Sequence, residues 1–347
     1  MVEQEHLALV LARFGMASDR CTVSRITTGH INFTYRVDDR GSGKGFVIQR
    51  VNNRVFRQPE TISRNVRLAA DYLNQFHPEY LFLQPIRGLD QQDLQVDPEG
   101  WPWRLFPFLP GTYTLDVVSS PAQARIAAAA FGRFNRLLSG MPLAGVEETI
   151  PRFHDLTWRW QQFEDACRDA APGRMTRAAR AVEQARSFAP LVDHYRGVTT
   201  SGVLVKRIFH NDTKINNLLW QGSTHEPACV IDLDTLMPGY FIYDLGDLVR
   251  TLVSPVSEEE KDLEKVMLRK EYYDAVVEGY LSEMRGVLTP GEQQQIAFAG
   301  KMMTYIMALR FLSDFLLGDV YYQTHYDDQN LVRASNQLRL LELLSAH

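Results

Sequence analysis

The chain has 347 residues, 45% of them hydrophobic, enough to bury a large core and to exclude a disordered or fibrous protein; two lobes or domains are expected. Its formal charge is -5, and Lys and Arg are spread without a dense basic block, so a small-molecule partner is expected and a nucleic-acid partner is not. Cys21, Cys167 and Cys229 lie far apart with no CxxC or Cys/His metal spacing, which fits a reducing cytoplasm.

Residues 1–15 mix Glu3, Glu5 and Arg13 with apolar positions, as in an amphipathic helix and unlike a secretory signal. Extended runs follow at 23–26, 32–37 and 44–49, separated by Gly-rich turns. Pro59 opens a helix in which Ile62, Val66, Ala69, Ala70 and Leu73 recur at helical spacing. Strand character returns at 101–109 and stops at Pro110-Gly111. After Ser120 the pattern is helical, at 122–138, 156–170, 175–188, 261–285 and 292–317, and only 205–209 and 228–233 read as strands. The expected division is therefore a nucleotide-binding lobe over 1–109 and a helical catalytic and substrate-binding lobe over 110–347. No stretch reaches the roughly 18 uncharged apolar residues of a bilayer span, so no membrane partner is expected.

Both strands of the second half run into Asp and Asn. The first gives Phe209-His210-Asn211-Asp212-Thr213-Lys214-Ile215-Asn216-Asn217, and fifteen residues later comes Ile231-Asp232-Leu233-Asp234. The spacing H-x-D-x-x-x-x-N followed by an Asp is that of a kinase catalytic loop. Phosphoryl transfer needs a carboxylate to accept the hydroxyl proton, and an amide oxygen with a second carboxylate to hold a hard cation. Asp212, Asn217 and Asp232 match those roles, with Mg2+ the expected metal and Lys214 placed to neutralise charge on the moving phosphoryl group. Asp234 is either a direct metal ligand or a brace for the ligands. Asp and Asn also cluster in ordinary turns, but two strands each ending in the required residues weigh against that reading. Asp244, in Tyr243-Asp244-Leu245-Gly246-Asp247, is expected to brace the loop.

The chain resembles the aminoglycoside phosphotransferase-like branch of the kinase fold, and within it the N-acetylhexosamine 1-kinases. The resemblance rests on Thr28-Gly29-His30-Ile31-Asn32-Phe33-Thr34-Tyr35, Phe46-Val47-Ile48-Gln49-Arg50-Val51-Asn52, the two Asp-bearing segments, Leu309-Arg310-Phe311-Leu312-Ser313-Asp314 and Gly318-Asp319-Val320-Tyr321-Tyr322. It implies an α+β, two-lobed protein-kinase-like fold with a small β-rich lobe and a larger, mainly helical one, binding nucleotide and magnesium in the cleft. The activity implied is transfer of the γ-phosphate of ATP to the anomeric hydroxyl of an N-acetylhexosamine. Gly29 would lie near the phosphates, or simply in a hairpin. His30 would face sugar hydroxyls, or be structural. The backbone of Phe106, Phe108 and Leu109 would meet adenine. Arg310 and Asp314 form either a helix ion pair or a pair presented to the sugar, and Tyr321 closes the sugar site or packs. One departure stands out: Gln49 and not Lys occupies the third strand, flanked by Arg50, and the next helix offers Arg64 and Asn65 in place of the usual Glu. The open alternatives are a related phosphotransferase acting on another sugar, an aminoglycoside or a small alcohol, and a nucleotide-binding module without turnover. Protein substrates are not expected, because no activation loop runs to an Ala-Pro-Glu.

Overall fold

Short β-branched and aromatic runs joined by tight turns favour an antiparallel meander. The computed structural model describes residues 2–26, 32–53 and 55–347, and side chains from residue 6 onward within them. Helix α1 (Val2–Arg13) precedes β1 (Cys21–Ile26), β2 (Phe33–Asp39) and β3 (Lys44–Arg50), then come α2 (Pro59–Phe76), β4 (Gln95–Val96), β5 (Pro102–Pro107) and β6 (Thr112–Tyr113). Among the described residues a five-stranded sheet runs β1-β2-β3-β5-β4, each neighbouring pair antiparallel. Successive side chains of a strand point to opposite faces. Tyr35, Val37, Ile48, Trp103 and Leu105 turn to one face, where they cluster with Leu7, Val10 and Leu11 of α1. Thr34, Gln49 and Arg104 stand in register across β2, β3 and β5, so they share the opposite face.

The chain continues through α3 (Pro121–Leu138), α4 (Leu156–Asp169), α5 (Pro172–Ser187), α6 (Pro190–Thr200), β7 (Arg207–Phe209), β8 (Leu218–Gln221), β9 (Pro227–Val230) and β10 (Met237–Gly239). It ends with α7 (Phe241–Leu252), α8 (Lys270–Met284), α9 (Pro290–Gln293), α10 (Ile296–Leu316) and α11 (Gln329–Ala346). The fold is α+β. It divides into a unit made of Met1–Thr114, Met141–Pro151 and Leu219–Pro238, and a second made of Leu115–Gly140, Arg152–Leu218 and Gly239–His347. Each unit thus gathers three segments, where the expected division was one cut after 109. In the first, β6, β8 and β9 make a further sheet, with Thr112 opposite Gln221 and Tyr113 opposite Trp220.

In the helical unit α10 is the central element, packed by α4, α5, α7 and α11. By length and composition alone it could cross a membrane, but 72% of its apolar window is buried inside the protein, the pattern of a core helix. Helices α3 and α8 approach closely: a Cβ at Gly279 would meet the Arg125 carbonyl oxygen at 2.2 Å, and one at Gly132 the Tyr280 carbonyl oxygen at 2.9 Å. Two expected helices are shorter than their patterns. The 261–285 segment first makes a 3-10 turn at Leu263–Lys265, where the Asp262 carboxylate accepts the Glu264 N–H, and α8 begins only at Lys270. The 292–317 segment is split: its start belongs to the short α9, which opens on a capping box of Thr289 with the fully buried Glu292, itself accepting from Arg207, and α10 begins only at Ile296.

Candidate active site

In the helical unit the segment after β7 is held from below by one carboxylate. Asp244, in the first turn of α7, accepts the backbone N–H groups of His210 at 3.1 Å and Asn211 at 2.7 Å, and its carbonyl accepts the Thr213 hydroxyl at 2.7 Å. It braces the loop, as its place in the sequence led one to expect. Burial pushes its carboxyl up to about 6, partly offset by His210 and by the N–H donors. Asn211 sits in the left-handed region at φ 64°, a conformation that Asn tolerates better than most residues. Its carbonyl accepts from His154 Nε2 at 2.7 Å, which fixes the proton of the neutral ring on Nε2. His154 is buried, and that burial drives its pKa down to about 3; its Nδ1 finds no hydrogen-bond partner among the described residues.

The next residue, Asp212, is only partly covered. Lys214 Nζ lies 3.1 Å from its Oδ1, and Asn217 Nδ2 donates to its carbonyl at 2.8 Å and to Oδ2 at 3.2 Å. Burial raises the Asp212 carboxyl, but Lys214 and His210 outweigh it and hold it below its usual range, so it is a carboxylate at neutral pH. Asp212 in turn raises the Lys214 ammonium. The Asn217 side-chain nitrogen is thus committed to Asp212, which leaves its amide oxygen as the acceptor of that side chain.

Further along this unit, Arg310 and Asp314 do not form the expected helix pair. Asp314 accepts the N–H groups of Val320 and Tyr321 on one oxygen and of Tyr322, with the Asn330 side chain, on the other. Its position is that of a clamp on the turn carrying the tyrosines. Arg310 lies over the rings of Phe153 (5.0 Å), Tyr322 (5.5 Å) and Tyr321 (5.8 Å), with no carboxylate within ion-pair distance among the described residues. Tyr321 is 58% exposed. Arg159 donates to the Phe153 carbonyl from Nε and Nη2; burial and the Arg310 charge pull its pKa down to about 10.

In the β-rich unit Asp232 is exposed and left-handed, at φ 59°, at the entrance to a 3-10 turn over Leu233–Thr235. Asp234 is 3% exposed: Asn32 Nδ2 donates to Oδ2 at 2.8 Å, and Arg104 Nη1 lies 2.5 Å from Oδ1 as an ion pair, although Oδ1 accepts no hydrogen bond among the described residues. Asp234 is thus buried and held by Arg104 and Asn32, whereas Asp232 stands at the surface. Among the described residues no three His, Cys, Asp or Glu side chains converge on a metal position. Gln49 accepts from Arg104 Nε at 3.0 Å and donates to Thr34 at 3.1 Å. Phe106 ends in β5, the Phe108 N–H donates to the Gly45 carbonyl, and the Leu109 carbonyl accepts the Thr112 hydroxyl. Gly29 and His30 lie outside the described residues.

Residues 22–287 match the APH family, described as the phosphotransferase enzyme family, which is well over half of the chain. The chain belongs to this phosphotransferase family. Solved structures of similar fold include a microcompartment-associated aminopropanol kinase (16% identity, TM-score 0.63, covering 99% of this chain and 96% of that one). Spectinomycin phosphotransferase in complex with ADP and spectinomycin is similar at 13% identity and TM-score 0.62, covering 99% and 98%. An aminoglycoside phosphotransferase from Alicyclobacillus acidocaldarius follows at 12% identity and TM-score 0.63, covering 97% and 95%. At these identities the likeness is one of fold, and it is the protein-kinase-like fold with a β-sheet N-terminal region and a helical C-terminal one. In this phosphotransferase the matched span contains Asp212, Lys214, Asn217, Asp232 and Asp234, whereas Arg310, Asp314 and Tyr321 lie beyond it. The sequence reading missed His154, Arg159 and the pairing of Arg104 with Asp234. None of these had a local signal: Arg104 meets Gln49 only through the pairing of β3 with β5, strands that α2 separates in the chain.

Proposed function

We propose that this phosphotransferase moves the γ-phosphoryl group of ATP to the anomeric hydroxyl of an N-acetylhexosamine, with Asp212 as the base. The observation that carries the chemistry is Asp212 itself, kept ionised by Lys214 and oriented by Asn217. The acceptor hydroxyl gives its proton to the Asp212 carboxylate as its oxygen bonds to the γ-phosphorus. The bond from that phosphorus to the β-γ bridging oxygen breaks, and ADP leaves. Lys214 stays protonated throughout and offsets charge on the phosphoryl oxygens. Asn217 and Asp232 are the residues that would hold magnesium, which neutralises phosphate charge when bound.

The acceptor class rests on Arg310. A cation lying on three aromatic rings, without a carboxylate partner among the described residues, offers hydrogen bonds to hydroxyl and acetamido oxygens and ring faces to the sugar, while repelling an ammonium group. The aminopropanol and aminoglycoside acceptors named for the similar structures carry amines, which call for the opposite charge. A panel of free N-acetylhexosamines, plain hexoses, amino alcohols and aminoglycosides, incubated with γ-labelled ATP, tests the proposal. Label should pass to N-acetylhexosamines and return as inorganic phosphate in dilute acid, as an anomeric phosphate does. Transfer to amines alone would replace the sugar reading with the amino-alcohol one.

A further inference from the structure

Kinases of this fold place a Lys on the third strand to hold the nucleotide phosphates and pair it with a Glu on the following helix. Here that strand carries Gln49, and α2 carries Asn65, which forms no ion pair: Asn65 Nδ2 donates to the carbonyls of Glu147 and Leu236, and its Oδ1 accepts the Glu147 N–H. The adjacent Arg50 is no substitute. It lies over the rings of Phe33, Trp101 and Trp103, and alternation along β3 sends it to the α1 face, away from Gln49.

Two cations stand on the Gln49 face: Arg36, which is turned to the Asp38 carboxylate and the Phe108 ring, and Arg104, which is the one beside Gln49. The sheet register sets it directly across from Gln49, whose side-chain oxygen accepts from Arg104 Nε at 3.0 Å. Arg104 Nη1 pairs with Asp234 Oδ1 at 2.5 Å, and Asn32 completes the set by donating to Asp234 Oδ2 while its own Oδ1 accepts the Asn52 N–H. No acceptor among the described residues takes a hydrogen bond from Nη2, so part of the guanidinium fork remains for a ligand. Both partners of the pair are 3% exposed, and a buried ion pair is a poor way to gain stability, because desolvation offsets most of the attraction. A guanidinium hydrogen-bonded through Nε, ion-paired through Nη1 and open at Nη2 is well suited to a phosphate oxygen.

We infer that Arg104 is the phosphate-binding cation of this chain: the charge pair has moved from β3 and α2 to β5 and the turn after β9, with Asp234 as its positioning partner and Gln49 as a neutral spacer. The inference rests on the reading of the chain as a nucleotide-dependent phosphotransferase and is independent of the sugar. Its test uses the full chain without acceptor, measuring ADP and adenosine affinity by displacement of a fluorescent adenine nucleotide. Arg104→Gln should weaken ADP about ten- to hundredfold and leave adenosine unchanged, since only ADP carries the charge that Arg104 holds. Adding Gln49→Lys to Arg104→Gln should regain most of the ADP affinity by returning a cation to β3. Should Arg104→Gln fail to fold, Arg104→Lys carries the comparison, with a smaller loss confined to ADP expected. An unchanged ADP affinity, or equal losses for ADP and adenosine, in a folded variant overturns the inference. A parent that fails to phosphorylate hexosamines yet shows the ADP-selective loss would sink the sugar reading and leave this one standing.

Discussion

Two stretches of the helical unit treat polar groups in opposite ways. Around 210–217 the backbone turn and the Asp212 carboxylate are tied to named partners: Asp244 holds two N–H groups, His154 holds the Asn211 carbonyl, and Asp212 is bracketed by Lys214 and Asn217. Around Arg310 the charge faces aromatic rings and the adjoining Tyr321 is largely exposed. The first arrangement fixes one proton acceptor in one geometry, and preorganised groups of this kind serve the chemical step. The second leaves hydrogen-bonding capacity unspent, which is what a ligand completes. The difference sets a carboxylate held in one geometry against a cation that no carboxylate among the described residues holds.

The comparison breaks first at the loop. Asp212→Asn keeps the shape and removes the proton acceptor, so kcat is expected to fall by about 10²–10⁴-fold. ADP affinity should be retained, and steady-state kinetics with a binding control checks both; near-parental turnover would place the base elsewhere. At the open end the expected effect is smaller and of another kind. Arg310→Gln should raise the acceptor KM by about ten- to hundredfold, the value of a hydrogen bond from a charged donor, with little change in the ADP affinity. A melting-temperature control removes the concern that its helix is disturbed. Equal acceptor KM values in parent and variant would remove Arg310 from the acceptor site.

The smallest effect sharpens the comparison through pH. His154 has a folded pKa near 3 against an ordinary 6.5, so the folded chain binds fewer protons than the unfolded one between those values. Its contribution is therefore complete above pH 6.5 and erodes as pH falls toward 3. Between pH 7 and pH 5 the loss is about 2 kcal/mol. Gln can still donate to the Asn211 carbonyl but cannot titrate, so His154→Gln should lose less stability over that interval, as followed by urea unfolding. A variant with the parental pH slope would show that another group is responsible.

Much of this was legible beforehand where a pattern is local. The meander declared itself through alternation, α2 through Pro59 and its apolar stripe, and the loop through its spacing, including the bracing place of Asp244. Helix α7 did not: its apolar residues do recur at helical spacing, but Asp244, Gly246 and Asp247 were read with the Asp-bearing loops before it, and only the fold shows that every residue from Phe241 to Leu252 except Thr251 is buried. Strand β8 was hidden by its shortness, four residues directly after a 3-10 turn. Arg310 and Asp314 stand four apart and invited an ion pair; the backbone N–H groups of 320–322 won the carboxylate instead, and such a loop return carries no periodic signal. The Arg104 and Asp234 pair joins strands and turns distant in sequence, beyond the reach of any local count.

The clamp made by Asn65 has a mechanical consequence. It bolts α2 to the backbone of Leu236, two residues past Asp234, and to both sides of the Glu147 peptide position. In kinases that are switched, the equivalent helix swings and carries its acidic partner away from the lysine. Here a swing of α2 would have to tear three side-chain-to-backbone hydrogen bonds and would still leave Arg104 and Asp234 in place, since neither belongs to the helix. The lever that elsewhere turns such enzymes on and off is, in this chain, disconnected from the charge it would have to move.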